Sequence, residues 1–165
     1  MSERPPVKRE DFIAAMRHVA SSVTVVTTNG ASGKHGATVS AFASVSADPP
    51  TVMVCLRSDS RIAKAVEENG NFAVCVLAKN TAEMAMRFAG SDDLQVENRF
   101  SDVPHTDWDA PHLEDSTSFS CDVVHFVVQG SHTAFFGQVT WAGSSKISPL
   151  IYFDGGFGEF KKGED

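Results

Sequence analysis

Residues 36–50 read GATVSAFASVSADPP. Side chains alternate along a strand, so this pattern predicts an extended segment with Ala37, Val39, Ala41, Ala43, Val45 and Ala47 on one face. Thr38, Ser40, Phe42, Ser44 and Ser46 fall on the other. The first face suits a tight core. The second is made almost wholly of small hydroxyls, which are common where a strand meets water, and solvent exposure is its simpler reading. A solvated strand ordinarily carries Lys, Glu or Arg, however, and this face carries none. Small uncharged donors beside accessible backbone suit the close approach of a flat polar ligand. Asp48-Pro49-Pro50 then halts the strand, because proline donates no ladder hydrogen bond.

Upstream, SVTVVTT (22–28) is β-branched and alternating and NGASGKHG (29–36) is a Gly-rich turn, so an antiparallel pair is expected. REDFIAAMRHVASS (9–22) spaces Phe12, Ile13, Met16 and Val19 as an amphipathic helix, with acidic residues in its first turn. Downstream, TVMVCL (51–56) is a continuous apolar run, as expected of a strand buried on both faces. SDSRIAKAVEENG (58–70) reads as a capped helix ending near Gly70, and NFAVCVLA (71–78) as another strand. In NTAEMAMRFAG (80–90), Asn80 and Glu83 have capping-box spacing and Gly90 follows the end of a second short helix.

From Ser91 to about Ser118 the chain is polar, acidic and interrupted by Pro104 and Pro111. That is long for a connection inside a compact domain and marks a functional or mobile segment. FSCDVVHFVVQG (119–130) and HTAFFGQVTWAG (132–143) form a strand pair around a tight turn, and SPLIYFDGGFGEF (148–160) ends the fold before a charged tail. Short strands dominate, so the pattern predicts a small β-barrel with peripheral helices and not a parallel sheet with crossover helices.

The length of 165 residues favours one domain, 1–165, with its core at about residues 10–158. Fourteen basic and 21 acidic side chains give a net charge of -7, a field that repels a nucleic-acid backbone. No stretch approaches the ~20 apolar residues that span a bilayer, and the first residues have no apolar signal core, so no membrane and a cytoplasmic location are expected. Cys55, Cys75 and Cys121 are far apart in apolar runs and read as buried reduced thiols, with no spacing for a bound metal.

RSDSR (57–61) sits at a strand end and a helix start, where free N–H groups, hydroxyls and guanidiniums make a phosphate cradle. Simple N-capping by Ser58 or Ser60 with solvated arginines explains the same residues. Taken in order, VTVVTT, GATVSAFASVSADPP, CLRSDSR, GNFAVCVL, MRFAG, GSHTAFFGQV and PLIYF resemble the short-chain flavin reductases, the small components of two-component flavin-dependent monooxygenases. The resemblance runs from about Phe12 to Phe157.

It implies a mainly β fold, a Greek-key split β-barrel with a few short peripheral α-helices, assembled as a homodimer. It implies FMN, or FAD, as the flavin, and NADH or NADPH as the hydride donor. The ring would lie against Thr38, Val39, Ser40, Ala41, Ser44, Ser46 and Asp48, where fixed donors favour the negative charge that hydride arrival leaves on the flavin. Ser58, Ser60 and Arg61 would hold the phosphate, joined by Arg87 and Phe88. Otherwise Arg87 complements a helix dipole and Phe88 is core.

His132 follows a turn that in the family usually reads Gly-Asp-His and here reads Gly-Ser-His. Loss of the acid removes a charge that could protonate or orient the imidazole, so His132 is assigned nicotinamide binding and no side chain is assigned acid catalysis. A solvated turn histidine is the other reading. Phe153 and Phe157 match aromatic positions near the two rings, or form a flexible aromatic tail. The expected function is an NAD(P)H:flavin oxidoreductase that serves a partner oxygenase. The alternatives are a flavin-binding barrel without turnover and a dimeric barrel used only for interaction.

Overall fold

The computed structural model describes residues 5–91, 93–94 and 98–163. Its elements follow in the order α1 (Arg9–Met16), β1 (Ser21–Ser22), β2 (Thr24–Thr28), β3 (His35–Val39), β4 (Phe42–Ala47), β5 (Pro50–Arg57) and α2 (Arg61–Asn69). Then come β6 (Asn71–Val76), α3 (Ala82–Phe88), β7 (Thr117–Gln129), β8 (His132–Gly143), β9 (Leu150–Phe153) and β10 (Gly156–Glu159). Seven strands form one antiparallel sheet in the order β3-β2-β6-β7-β8-β5-β4, and β9 lies between β1 and β10 in a second.

β3 and β4 are at opposite edges of the large sheet, although only Ser40 and Ala41 separate them in the chain. The sheet therefore curls until its edges meet at that corner, where the Cys55 N–H donates to the Ala41 carbonyl at 3.0 Å. No ladder joins β3 to β4. The result is the mainly β, split-barrel architecture that the sequence predicts, with three short helices among the described residues.

Two apolar clusters fill it. Val26, Val54, Leu56, Val66, Phe72 and Phe135 pack inside the curl beneath α2. Val23, Val25, Cys75, Leu77, Phe88, Phe100, Val103 and Leu113 pack on the opposite face of β2 and β6. α2 is local in origin: Ser60 caps it by accepting from the Ala63 N–H at 3.2 Å, and Gly70 closes it with φ 71°. β7 and β8 turn over Gly130, whose φ is 59°.

Several expectations need correction. The stretch 36–47 is two strands, not one. β2, read as alternating, is buried throughout, because α3 and the segment after it cover its outer face. β5, read as buried on both faces, alternates instead: Val52, Val54 and Leu56 are buried and nothing fully covers Met53 and Cys55. The apolar side chains of α1 are not buried in the single chain. α3 begins after Thr81, which has no side-chain capping bond, so Asn80 and Glu83 form no capping box. The described part of 91–118 is packed, since Phe100, Val103 and Leu113 supply much of the second cluster; Asp92 and residues 95–97 lie outside the described residues.

Candidate functional site

The predicted hydroxyl face does not survive as one surface. Ala37 and Val39 pack inward as expected, but so does Phe42, because the corner at Ser40-Ala41 resets the alternation. A register shift between Ser44 and Ser46 leaves Val45 as an extra residue and resets it again. Thr38 turns toward α3 and donates to the Ala85 carbonyl at 2.6 Å. Ser46 is engaged locally: its hydroxyl accepts from the Asp48 N–H at 3.1 Å and donates to the Asp48 carbonyl at 3.0 Å. Ser40, Ala41 and Ser44 are exposed. As the edge strand of the sheet, β3 has no neighbouring strand along its outer side, so backbone groups there remain accessible.

Two cavities lie at the two ends of β3. One of about 630 Å³ is lined by Lys34 to Ala37 on one wall, by Ser60, Arg61 and Ile62 on a second, and by Asp93, Asn98, Arg99 and Phe100 on a third. The Ser60 hydroxyl donates to the Arg57 carbonyl at 2.6 Å while it caps α2, so the first turn presents its N–H groups beside the cavity. Arg61 is exposed and makes no hydrogen bond among the described residues, and its charge adds to the Arg99 hydrogen bond in lowering the pKa of Asp93 on the facing wall. Arg57 pairs with Asp59 at 2.8 Å, and the Asp59 hydrogen bond and charge raise its pKa further. Ser58 is set apart from the cavity, its hydroxyl 2.8 Å from that of Thr133.

The second, more apolar cleft of about 710 Å³ receives Ser40 and Ala41 from the corner, with Phe42 and Met53, Tyr152 of β9, and Phe12, Ile13 and Met16 of α1. Phe157 leans on Tyr152, with centroids 5.9 Å apart, and Phe153 on His18, at 6.1 Å. The two C-terminal aromatics thus stand on the sheet beside this cleft and do not form a loose tail. His132 is exposed opposite Arg57, and its Nδ1 lies 2.9 Å from the Ser131 hydroxyl. The serine that replaces the expected acid therefore still contacts the imidazole.

Phe88 is fully buried against Phe100, with centroids 5.0 Å apart and rings edge to face, so its core reading is the observed one. Arg87 is half-buried, and its Nε is a buried donor with no hydrogen-bond partner among the described residues. Such a donor ordinarily finds an acceptor. Sequence reading passed over Lys34, Asp93 and Arg99, which line the first cavity from segments that bear no motif. Arg99 and Asp93 form a fork, and its hydrogen bonds hold the Asp93 carboxyl below the usual carboxylate range.

Residues 16–161 match the flavin reductase like domain. The chain belongs to that family. The flavin reductase like fold is shared at a TM-score of 0.86 by the Streptomyces globisporus C-1027 NADH:FAD oxidoreductase SgcE6 in complex with NAD and FAD fragments, at 25% identity over 98% of this chain and 100% of that one. An FMN reductase (NADH) RutF from Acinetobacter baylyi is 35% identical over 139 residues, covering 81% of this chain and 71% of the relative. The reductase component of a 4-nitrophenol 4-monooxygenase/4-nitrocatechol 2-monooxygenase from Rhodococcus opacus is 32% identical over 159 residues, covering 94% and 83%.

Proposed function

We propose that this flavin reductase like protein transfers a hydride from NADH or NADPH to FMN or FAD and supplies the reduced flavin to a partner oxygenase. The observation that carries the reading is the outer edge of β3, with a cavity lined by Ser60 and the exposed Arg61 at one end and a more apolar cleft at the other. At about 3.3 Å per residue, Ala37 and Ser40 are ~10 Å apart, a separation that suits a ligand with a phosphate at one end and a ring at the other. The residues at the first cavity fit a flavin phosphate: Arg61, which makes no hydrogen bond among the described residues, and the N–H groups of the first turn of α2 are donors open to an acceptor.

When bound, the flavin supplies the hydride-accepting ring and the reduced nicotinamide supplies the hydride. The first turn of α2 and Arg61 hold phosphate by dipole and charge. The backbone of Val39 and Ala41 and the hydroxyl of Ser40 orient the ring edge, while Thr38, with its hydroxyl committed to Ala85, contributes backbone only. Ser44, Ser46 and Asp48 line neither cavity, and Ser46 and Asp48 are bonded to each other, so they are left out of this wall. His132 steadies the nicotinamide, and Phe153 and Phe157 exclude water near the cleft. Names of relatives support the pairing of NADH with FMN or FAD, and the monooxygenase component among them supports an oxygenase partner.

A homodimer is part of the proposal. Val124, Phe126, Val127 and Val128 near the hairpin end, with Phe12 and Met16 of α1, leave large apolar side chains uncovered in the single chain. So is a reducing, cytoplasmic compartment, since all three cysteines are free. The test is aerobic oxidation of NADH and of NADPH with FMN, FAD or riboflavin. Turnover with at least one pair is expected; no oxidation with any pair would sink the enzyme reading. Flavin fluorescence quenched without turnover would leave a flavin-binding barrel.

A further inference from the structure

Arg99 joins three parts of the fold with one side chain. Its Nη1 donates to the Gly36 carbonyl of β3 at 3.1 Å and to the Phe88 carbonyl, at the last residue of α3, at 2.8 Å. Its Nε and Nη2 donate to the two carboxylate oxygens of Asp93, each at 2.9 Å. Only a planar guanidinium offers donors in this fixed array; an ammonium has three donors on one point and no fork. The contact that it spans is tight. A Cβ on Gly36 would lie 2.6 Å from the Phe88 ring and 3.0 Å from that of Phe100, so β3 is pressed onto this aromatic pair.

The same residue forms one wall of the cavity that Ser60 and Arg61 share. Its charge is met by Asp93 and its N–H groups by carbonyls, whereas Arg61 acts on the same Asp93 through its charge alone and makes no hydrogen bond among the described residues. The two arginines are thus differentiated: one is spent on the backbone and one is open to a ligand. We propose that Arg99 is a positioning residue for flavin binding. It fixes the start of β3 against α3, so that the β3 edge and the Ser60–Arg61 wall keep the spacing that a phosphate-bearing ligand needs, and it does not touch that ligand. This rests on the flavin reductase reading above.

The test measures the KM for FMN and kcat with saturating NADH, the Kd for FMN and for riboflavin from flavin fluorescence quenching, and the melting temperature, for the unaltered protein, Arg99→Lys and Asp93→Glu. Arg99→Lys keeps the charge and loses the array, so KM and Kd should rise about tenfold, for riboflavin as for FMN, while kcat stays within about twofold. Asp93→Glu keeps the carboxylate charge on the cavity wall and displaces the fork, so the rise should be smaller, about two- to threefold. Unchanged flavin affinity in Arg99→Lys, even with a lowered melting temperature, would reduce Arg99 to a structural residue and overturn the proposal. A loss confined to FMN, with riboflavin binding unmoved, would overturn it too, because it would mark Arg99 as a direct phosphate ligand. Should Arg99→Lys not fold, Asp93→Glu decides the question, unchanged affinity for both flavins overturning the proposal. The two failures separate: no flavin binding by the unaltered protein sinks the functional reading, while normal binding with an unmoved Arg99→Lys sinks only the assignment to Arg99.

Discussion

β3 and β4 are consecutive parts of one stretch of small residues, and the fold treats them in opposite ways. In β3 the side chains are buried or half-buried, with Thr38 bonded to α3 and Gly36 pressed against Phe88 and Phe100. In β4 only Phe42 turns inward and every residue after it is exposed. The composition of a strand did not decide its environment; what stands opposite did. β3 faces α3 and the segment around Phe100, while β4 has β5 as its one neighbour.

The largest test of this contrast is steric. Gly36→Val forces a branched side chain into the Phe88 ring and should cost about 3 kcal/mol or more, the upper range of overpacking. Ala43→Val on β4 should stay within about 0.5 kcal/mol. Urea denaturation of both variants measures the gap, and equal losses would erase the distinction. A polar pair comes next. Thr38→Val strips the Ala85 carbonyl of its hydroxyl donor and should cost about 1 kcal/mol. Ser40→Lys should leave stability near that of the parent and abolish flavin fluorescence quenching; retained quenching would move the ring away from the corner.

The smallest effect is on pH dependence, and it belongs to the packed side. His112 is buried beside Trp108 and Trp141, with Nε2 2.7 Å from the Ser120 hydroxyl, and burial lowers its pKa. The unfolded chain takes the proton near pH 6.5, before the folded one does. Stability is therefore complete above that value and falls as pH drops toward the lower folded pKa. His112→Gln should flatten this decline between pH 7.5 and 5.5 in denaturation midpoints, and an unchanged slope would assign it to other groups.

Elements with local causes were legible in the sequence. Ser60 and Gly70 bracket α2 as their chemistry requires, and the Gly130 turn sets the long hairpin. The cavity at Ser60 and Arg61 was legible for the same reason, since a helix start carries its own donors. What sequence could not show depended on distant partners. The alternation through 36–47 hid a corner and an extra residue, because small side chains tolerate either face. The polar stretch after Ser91 concealed Phe100, Val103 and Leu113 as core, and Arg99 gave no signal because its carbonyl partners, Gly36 and Phe88, lie in other elements.

The corner at Ser40-Ala41 also bears on how the chain folds. The two strands it links reach their places only when the sheet between them is complete, and that includes a β5–β8 pairing that sets Thr51 opposite Gln138. Such distant pairings form late, because loop closure precedes any gain from contact. The two-residue link keeps the end of β3 near the start of β4 in any state of the chain, but the sheet that surrounds them is complete only once the distant β2–β6 and β5–β8 pairings have formed. A partly folded chain can own each candidate residue and still have no groove, which makes ligand capture a report on global order.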